Sequence, residues 1–256
     1  MSVVSKGDEV VLIDSKGKRC IINTDQPPRK IKGFGIVDPD KIVGREYGKK
    51  VKLNSKTVWI LKARAFDRWA SLKRKAQIIL PKDAAHIVIN CSIVPGSIVV
   101  EGGIGSGSLT AILSQIVGPT GKIISYERRK DFREFAVENL KNVGLFDNIE
   151  VKERDITKGI DERDIDAIVL DIPNPWDVVE HAWNALKIGG NFCSYSPLIS
   201  QVERTVKKLR EFPFTEIKVI ETLQREIVVT ERGCRPSFDM LGHTGYLTFG
   251  RKVLEV

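Results

Sequence analysis

The spacing of apolar positions changes character about a third of the way along the chain. In GDEVVLIDSKGKRCIIN (7–23) two short runs of β-forming residues flank a Ser-Lys-Gly-Lys turn, which predicts a hairpin. After Pro27 and Pro28 the apolar stretches are short and irregular, broken by GFG, DPD and GREYGKK before VKLNSKTVWILKA, and they read as a small β-rich domain over residues 1–70. From Pro81 the rhythm lengthens. KDAAHIVINCSI has helical spacing, and Pro95-Gly96 then leads into the buried-type strand SIVVEGG. Helix 107–118, strand KIISYE, helix 129–144, strands IEVKERD and DAIVLDI, helix 176–190, strand NFCSYSP and helix 200–212 follow in alternation. Such alternation implies an α/β, Rossmann-like body over residues 71–256, with a mostly parallel sheet covered on both faces. The last strand-like segments, EIKVIETLQREIVVT and HTGYLTFGRKV, have no helix between them and predict a closing antiparallel pair.

With 256 residues the chain is long enough to bury an α/β core. Its first ten residues already carry charge and no apolar run approaches the roughly 20 residues of a membrane span, so a cytoplasmic location without membrane attachment is expected. Cys20, Cys91, Cys193 and Cys234 are scattered, with no CxxC pair and no histidine at ligand spacing, and no metal is expected. The net charge of +8 divides unevenly. Residues 1–75 hold 19 Lys and Arg against 8 Asp and Glu, a net of 19 − 8 = +11, leaving 8 − 11 = −3 for the remainder. A basic lobe on a mildly acidic body suits a polyanion-binding appendage; an ordinary soluble surface is the plainer reading.

The turn in SIVVEGGIGSGSLTAIL (97–113) places Gly103, Gly105 and Gly107 between a strand and a helix N-terminus. Backbone approaches a ligand closely there, and unpaired N–H groups face it, whether the ligand is a dinucleotide pyrophosphate or the methionine part of S-adenosylmethionine (SAM). Glu127 ends the next strand, 20 positions beyond Gly107, where a carboxylate accepts from ribose hydroxyls. Asp155 ends the strand after that, placed for the exocyclic amine of adenine. Three strand ends supplying the required groups favour SAM over NAD, as does the antiparallel ending of the sheet. No hydride-transfer site is visible.

Beyond these spacings, QIILPKDAAHIV (77–88), EGGIGSGSLT (101–110), SYERRKDF (125–132), LDIPNPW (170–176), SYSP followed by QV within 194–202, and RPSFDMLGHTGYLTFGRK (235–252) together resemble the tRNA (adenine-N1)-methyltransferases of the TrmI type. The resemblance implies a class I SAM-dependent methyltransferase with a small N-terminal β-rich domain, assembled as a homotetramer. It also implies transfer of a methyl group to N1 of adenosine 58 in the T loop of tRNA, with archaeal members also modifying adenosine 57. Cofactor contacts carry over to Ser106, Gly107, Ser108, Leu109, Glu127, Phe132, Asp155 and Asp171, with Gln77 close by. Leu80 departs from the Tyr or His usual before the Pro-Lys-Asp segment, which removes an expected contact to the target base.

Adenine N1 carries its own lone pair, so alignment and charge handling should dominate. Asp171 is the candidate catalytic group, its carboxylate stabilising the purine cation at the N6 edge; capping the helix near Trp176 is its structural alternative. A stacked base must turn out to be reached, and Tyr195 is the candidate pocket wall, with Trp176 the weaker one. Arg235 and Arg232 are candidate phosphate contacts; His243 is a candidate substrate contact that fits a fold or subunit role at least as well, as does Tyr246. Competing readings are a methyltransferase of protein, such as the isoaspartyl repair enzymes, and a non-catalytic tRNA-binding subunit with a decayed cofactor site. The +11 lobe opposes the first, and the intact glycine turn with Glu127 and Asp171 opposes the second.

Overall fold

The computed structural model describes residues 2–255. The N-terminal hairpin forms as expected: β1 (Glu9–Asp14) pairs antiparallel with β2 (Arg19–Asn23), Val11 lying opposite Ile21. Asp14 makes the turn, its Oδ1 accepting the Lys16 and Lys18 N–H groups at 3.0 and 2.9 Å. A two-stranded ribbon, β3 (Arg29–Ile31) with β4 (Gly35–Val37), follows, and β5 (Lys50–Leu53) and β6 (Lys56–Lys62) complete a four-stranded sheet ordered β2-β1-β6-β5. One sheet face covers a private core of Val10, Leu12, Ile22, Phe34 and Ile60. Val11 and Ile21 point the other way and join the core of the larger body.

A short helix that no periodicity signalled, α1 (Ala65–Ser71), joins the two parts. Its Asp67 caps it by accepting the Arg64 N–H at 3.1 Å, and Arg68 reaches across to donate to the Val143 carbonyl at 2.7 Å and to pair with Glu9.

The body runs α2 (Pro81–Asn90), β7 (Ile98–Gly102), α3 (Ser108–Val117), β8 (Lys122–Tyr126), α4 (Lys130–Asn142), β9 (Ile149–Lys152), β10 (Ile165–Leu170), α5 (Val179–Ala185), β11 (Leu186–Ser196), α6 (Ile199–Leu209), β12 (Phe214–Glu221), β13 (Ile227–Thr230), β14 (Gly233–Pro236) and β15 (Tyr246–Lys252). Seven strands form one sheet, ordered β12-β15-β11-β10-β7-β8-β9, in which β15 runs antiparallel to both neighbours. The interior strands read as continuous apolar runs because helices cover both faces. The carboxyl ends of β10, β7, β8 and β9 stand side by side on one rim.

Two expectations about the elements are corrected. Helix 176–190 is a 3-10 turn (Pro175–Val178) followed by α5, which stops at Ala185; Leu186 already pairs with Ile165 of β10, and that sheet contact overrides the helical spacing of Leu-Lys-Ile. Segment 216–230 is not one strand. Its first part is β12, but its end pairs instead with β14 in a separate ribbon standing off the main sheet.

Candidate functional site

The rim of four adjacent strand ends encloses a groove of about 360 Å³, lined by Gln77, Gly103, Gly105, Glu127, Phe132, Asp155 and Asp171 among others. A narrower recess continues it beneath the glycine turn, past Glu101, Ser106, Ser108 and Leu109. The cofactor residues expected from the sequence therefore converge, with Gly107 immediately behind the recess at the start of α3.

The turn is built by the sheet. Gly103 donates to the Tyr126 carbonyl at 2.9 Å, and Asp171 donates its N–H to the Gly102 carbonyl at 2.8 Å, so β8 and β10 both grip the end of β7. Gly103 has φ +88°, and a Cβ there would lie 2.3 Å from the Asp171 carbonyl oxygen, which only glycine avoids. Ser106 is occupied by the fold: its Oγ accepts the Lys75 N–H at 3.0 Å and its carbonyl accepts from Asn139 Nδ2 at 2.9 Å. Asn139 also exchanges hydrogen bonds with the Lys73 backbone at 3.2 and 2.8 Å, stitching strap 73–77 to the glycine turn.

The acids differ in what already holds them. Glu127 Oε1 accepts the Arg129 N–H at 2.8 Å, and no described residue engages its second oxygen. Asp155 is more committed than its spacing implied. Its Oδ1 accepts from Thr157 N and Oγ1 at 3.0 and 2.8 Å, and its Oδ2 pairs with Arg128 at 3.2 Å. Burial acts to raise the Asp155 pKa, but these contacts outweigh it and hold the carboxyl below its usual range. Asp171 accepts no hydrogen bond from a described residue, and desolvation pushes its carboxyl up to about 7. Its side chain nonetheless faces the groove and is exposed to it, so water in the groove moderates that rise while leaving its direction.

Glu101 was not among the residues expected from the sequence. It is buried at the end of β7, and its Oε2 accepts from Thr110 Oγ1 at 2.7 Å and from Ser125 Oγ at 2.5 Å. Desolvation is the main force raising its pKa to about 7; the two hydroxyls oppose it, and Asp171 and Glu127 add to it. The signal available was a lone carboxylate at the end of an otherwise apolar strand. Gln201 was missed as well, although it lies in the family-like segment 194–202; its Nε2 donates to the Pro173 carbonyl at 2.8 Å and steadies the loop after Asp171.

The three residues expected to meet the substrate do not line the groove. Tyr195 is buried, its hydroxyl donated to the Thr244 carbonyl and its pKa pushed up to about 12, first by burial and then by the nearby Asp83. Its side of β11 turns into the core, which corrects the expected pocket wall. His243 lies between Glu221 Oε1 at 2.6 Å and the Pro197 carbonyl at 2.8 Å; two acceptors favour the imidazolium, and its pKa rises, chiefly through Glu221. Arg235 stands on the β13–β14 ribbon over the Phe238 ring at 4.1 Å. Trp176 lies under the Arg204 guanidinium at 3.7 Å. The family-like segments around Lys82 and Thr244 meet in a buried network, Lys82 Nζ donating to Asp83 at 2.7 Å, Thr222 O at 2.7 Å and Thr244 Oγ1 at 2.8 Å.

A seven-strand sheet whose last strand is reversed, with a glycine cradle and carboxylates at the rim of its central strands, defines a class I methyltransferase. The family described as tRNA methyltransferase complex GCD14 subunit matches residues 58–235. The chain is 38% identical over 94% of its length, and 94% of the relative's, to the tRNA (adenine(57)-N(1)/adenine(58)-N(1))-methyltransferase TrmI of Methanocaldococcus jannaschii. Among solved structures, one described as a SAM-dependent O-methyltransferase from Thermotoga maritima is 34% identical with TM-score 0.83, covering 99% of this chain and 96% of that one. The tRNA (m1A58) methyltransferase TrmI of Aquifex aeolicus is 25% identical with TM-score 0.77, covering 98% and 99%. The chain belongs to the family of SAM-dependent tRNA (adenine-N1)-methyltransferases.

The residues present fit SAM. Ser108 Oγ, at the first turn of α3, is buried without a partner among the described residues, in the wall of the recess beside Glu101. The glycine cradle beside it is open at Gly105, where a Cβ would meet no protein atom within 4 Å and would project into the free space of the turn, and the surrounding carboxylates suit a ligand bearing cationic groups. Among the described residues there is no group of three or more His, Cys, Asp or Glu arranged to hold a metal ion, and no helix is long and apolar enough to cross a membrane.

Proposed function

We propose that the groove holds SAM and presents it to N1 of adenosine 58, and of the adjacent adenosine 57, in the T loop of tRNA. The observation that carries this reading is the convergence of the glycine cradle, Glu127, Asp155 and Asp171 on one groove, in a chain so similar along its whole length to the archaeal enzyme. When bound, SAM supplies the activated methyl group. Glu127, with one oxygen unengaged, takes the ribose hydroxyls. Ser108 and the N–H groups at the start of α3 take the methionine carboxylate. Asp155 borders the adenine end, where its fixed orientation by Thr157 selects geometry rather than supplying a free acceptor. Gln77, Leu109 and Phe132 close the walls, Phe132 beneath the Arg129 guanidinium at 4.1 Å.

Asp171 handles the charge. As N1 becomes methylated the purine turns cationic, and a carboxylate at its N6 edge stabilises that charge and accepts a proton afterwards. Its raised pKa makes this work pH dependent: the ionised form that stabilises a cation gains population as pH rises above the ordinary carboxylate range. Substrate roles for Tyr195, Arg235 and His243 lie outside the groove walls, Tyr195 through the packing of the rim and the other two at the surface where an RNA lies. A homotetramer also fits, because an apolar groove with Phe66, Ile89 and Ile116 and the ribbon side chains Val229 and Phe238 are left exposed. A tRNA substrate agrees with the cytoplasmic location expected from the sequence.

The direct test is to incubate the protein with unmodified tRNA and labelled SAM and map reverse-transcription stops. Stops at 57 and 58 are expected, because a methyl on N1 blocks the pairing edge. Labelled tRNA without stops would mean transfer to an atom that leaves the pairing edge open, such as a ribose oxygen or a ring carbon, and would reject the assignment.

A further inference from the structure

The net charge of the N-terminal lobe has a structural focus. A second cavity, of about 280 Å³, lies where β2 and the β3–β4 ribbon meet the C-terminal half of α4, and Arg29, Lys30, Lys32 and Lys73 line it against a single carboxylate, Glu138. Lys73 pairs with that carboxylate at 2.8 Å. Lys30 and Lys32 have no carboxylate within ion-pair distance among the described residues. Arg29 donates to Asn142 Oδ1 at 3.2 Å and to the Ile21 carbonyl at 3.0 Å, both neutral acceptors, so its charge is oriented and uncompensated. Ser71 Oγ, in the same wall, is buried without a partner among the described residues.

This cavity is joined to the methyl-transfer groove by two elements. Helix α4 presents Phe132 to the groove and Glu138, Asn139 and Asn142 to the cavity, six to ten residues further along, which at about 1.5 Å per residue separates the two by roughly 9–15 Å. Strap 73–77 spans the same interval, fixed by Asn139 and carrying Lys73, Arg74 and Lys75. Arg74 lies over the Trp69 ring at 5.4 Å, and Lys75 and Arg129 share Asp131. Cations thus run from groove mouth to cavity along one continuous course, as the phosphates of a single strand require.

We infer that the domain-junction cavity is a binding site for the RNA sugar-phosphate backbone, holding the strand a few nucleotides from the base placed in the groove. This rests on the proposal that the substrate is tRNA. The site reads no sequence. It sets register, which is what a domain reaching past the target base supplies.

The test uses the full-length protein and an unmodified tRNA transcript. Lys30→Ala/Lys32→Ala is compared with Lys50→Ala/Lys52→Ala, an equal reduction of charge on β5, whose residues line neither the cavity nor the groove. For the cavity pair, the tRNA KM should rise about 10-fold and the slope of log affinity against log salt should become shallower by about two, near one for each phosphate that is no longer neutralised. Its kcat and its affinity for SAM should stay at the wild-type values. The β5 pair should match wild type in KM and slope. Equal effects in the two pairs would reduce the result to diffuse charge and overturn the inference, as would an unchanged cavity pair. If the double variant fails to bind SAM, and so to fold, Lys32→Ala alone carries the same reading with a slope change near one. Wild type that binds tRNA with this salt dependence yet leaves it unmethylated would overturn the proposed reaction and leave the cavity standing.

Discussion

The groove at the strand ends and the cavity at the domain junction are opposite in charge and in construction. Carboxylates line the groove, several of them held by backbone or hydroxyl donors, on a turn gripped by two neighbouring strands. Lysines and arginines line the cavity, most of them exposed and without carboxylate partners. A small cationic donor needs a geometry held to a fraction of an ångström, and desolvated groups on strand ends supply it. A polyanion needs many contacts, each weak and salt-sensitive, and flexible side chains on a small domain supply those. Change should therefore be felt sharply in one region and gradually in the other.

Two glycines with the same backbone angle give the largest contrast. Gly103 and Gly33 both have φ +88°, but a Cβ at Gly103 meets the fixed Asp171 carbonyl at 2.3 Å, whereas at Gly33 it meets the movable end of Lys18. Gly103→Ala is expected to cost about 4 kcal/mol and to remove SAM binding, combining left-handed strain with a backbone clash. Gly33→Ala should cost about 1 kcal/mol and leave SAM affinity intact. Denaturant midpoints with SAM titration calorimetry decide it, and similar effects at both positions would end the contrast.

Next in size is Asp171→Ala, expected to lower kcat about 100-fold while SAM still binds. The wild-type rate should climb with pH on an acid limb displaced upward from the ordinary carboxylate range, to no higher than about 7, and Asp171→Asn should flatten that limb. Full activity in either variant would remove Asp171 from the chemistry.

A third effect, similar in size, concerns stability of the cofactor-free protein. Glu101 holds its proton in the folded state up to about 7, against 4.5 for the free group, so the stability it contributes is complete below about 4.5 and is lost as pH rises through about 7. The loss is on the order of 3 kcal/mol. Glu101→Gln keeps the buried carbonyl acceptor for Thr110 and Ser125 and should flatten stability between about pH 4.5 and pH 7; an unchanged slope would show that Glu101 ionises normally.

Much of this was written locally in the chain. The Ser-Lys-Gly-Lys hairpin, the strand–helix alternation from residue 81, the glycine turn and the acids closing β8 and β9 follow from spacing alone, because period and turn chemistry act within a few residues; Asp171 after β10 came with the family resemblance. The uneven charge of the two parts is likewise a matter of counting. Long-range pairing decided the rest. Only strand order shows that Asp155 is tied to Arg128, that the side of β11 carrying Tyr195 turns inward, and that His243 falls between Glu221 and Pro197. Only packing makes Glu101 a desolvated acid, and only the docking of the first sheet on α4 gathers Arg29, Lys30, Lys32 and Lys73 around one cavity. Residues dozens of positions apart acquire a shared environment when the sheet brings them together, and protonation, burial and pocket shape belong to that environment.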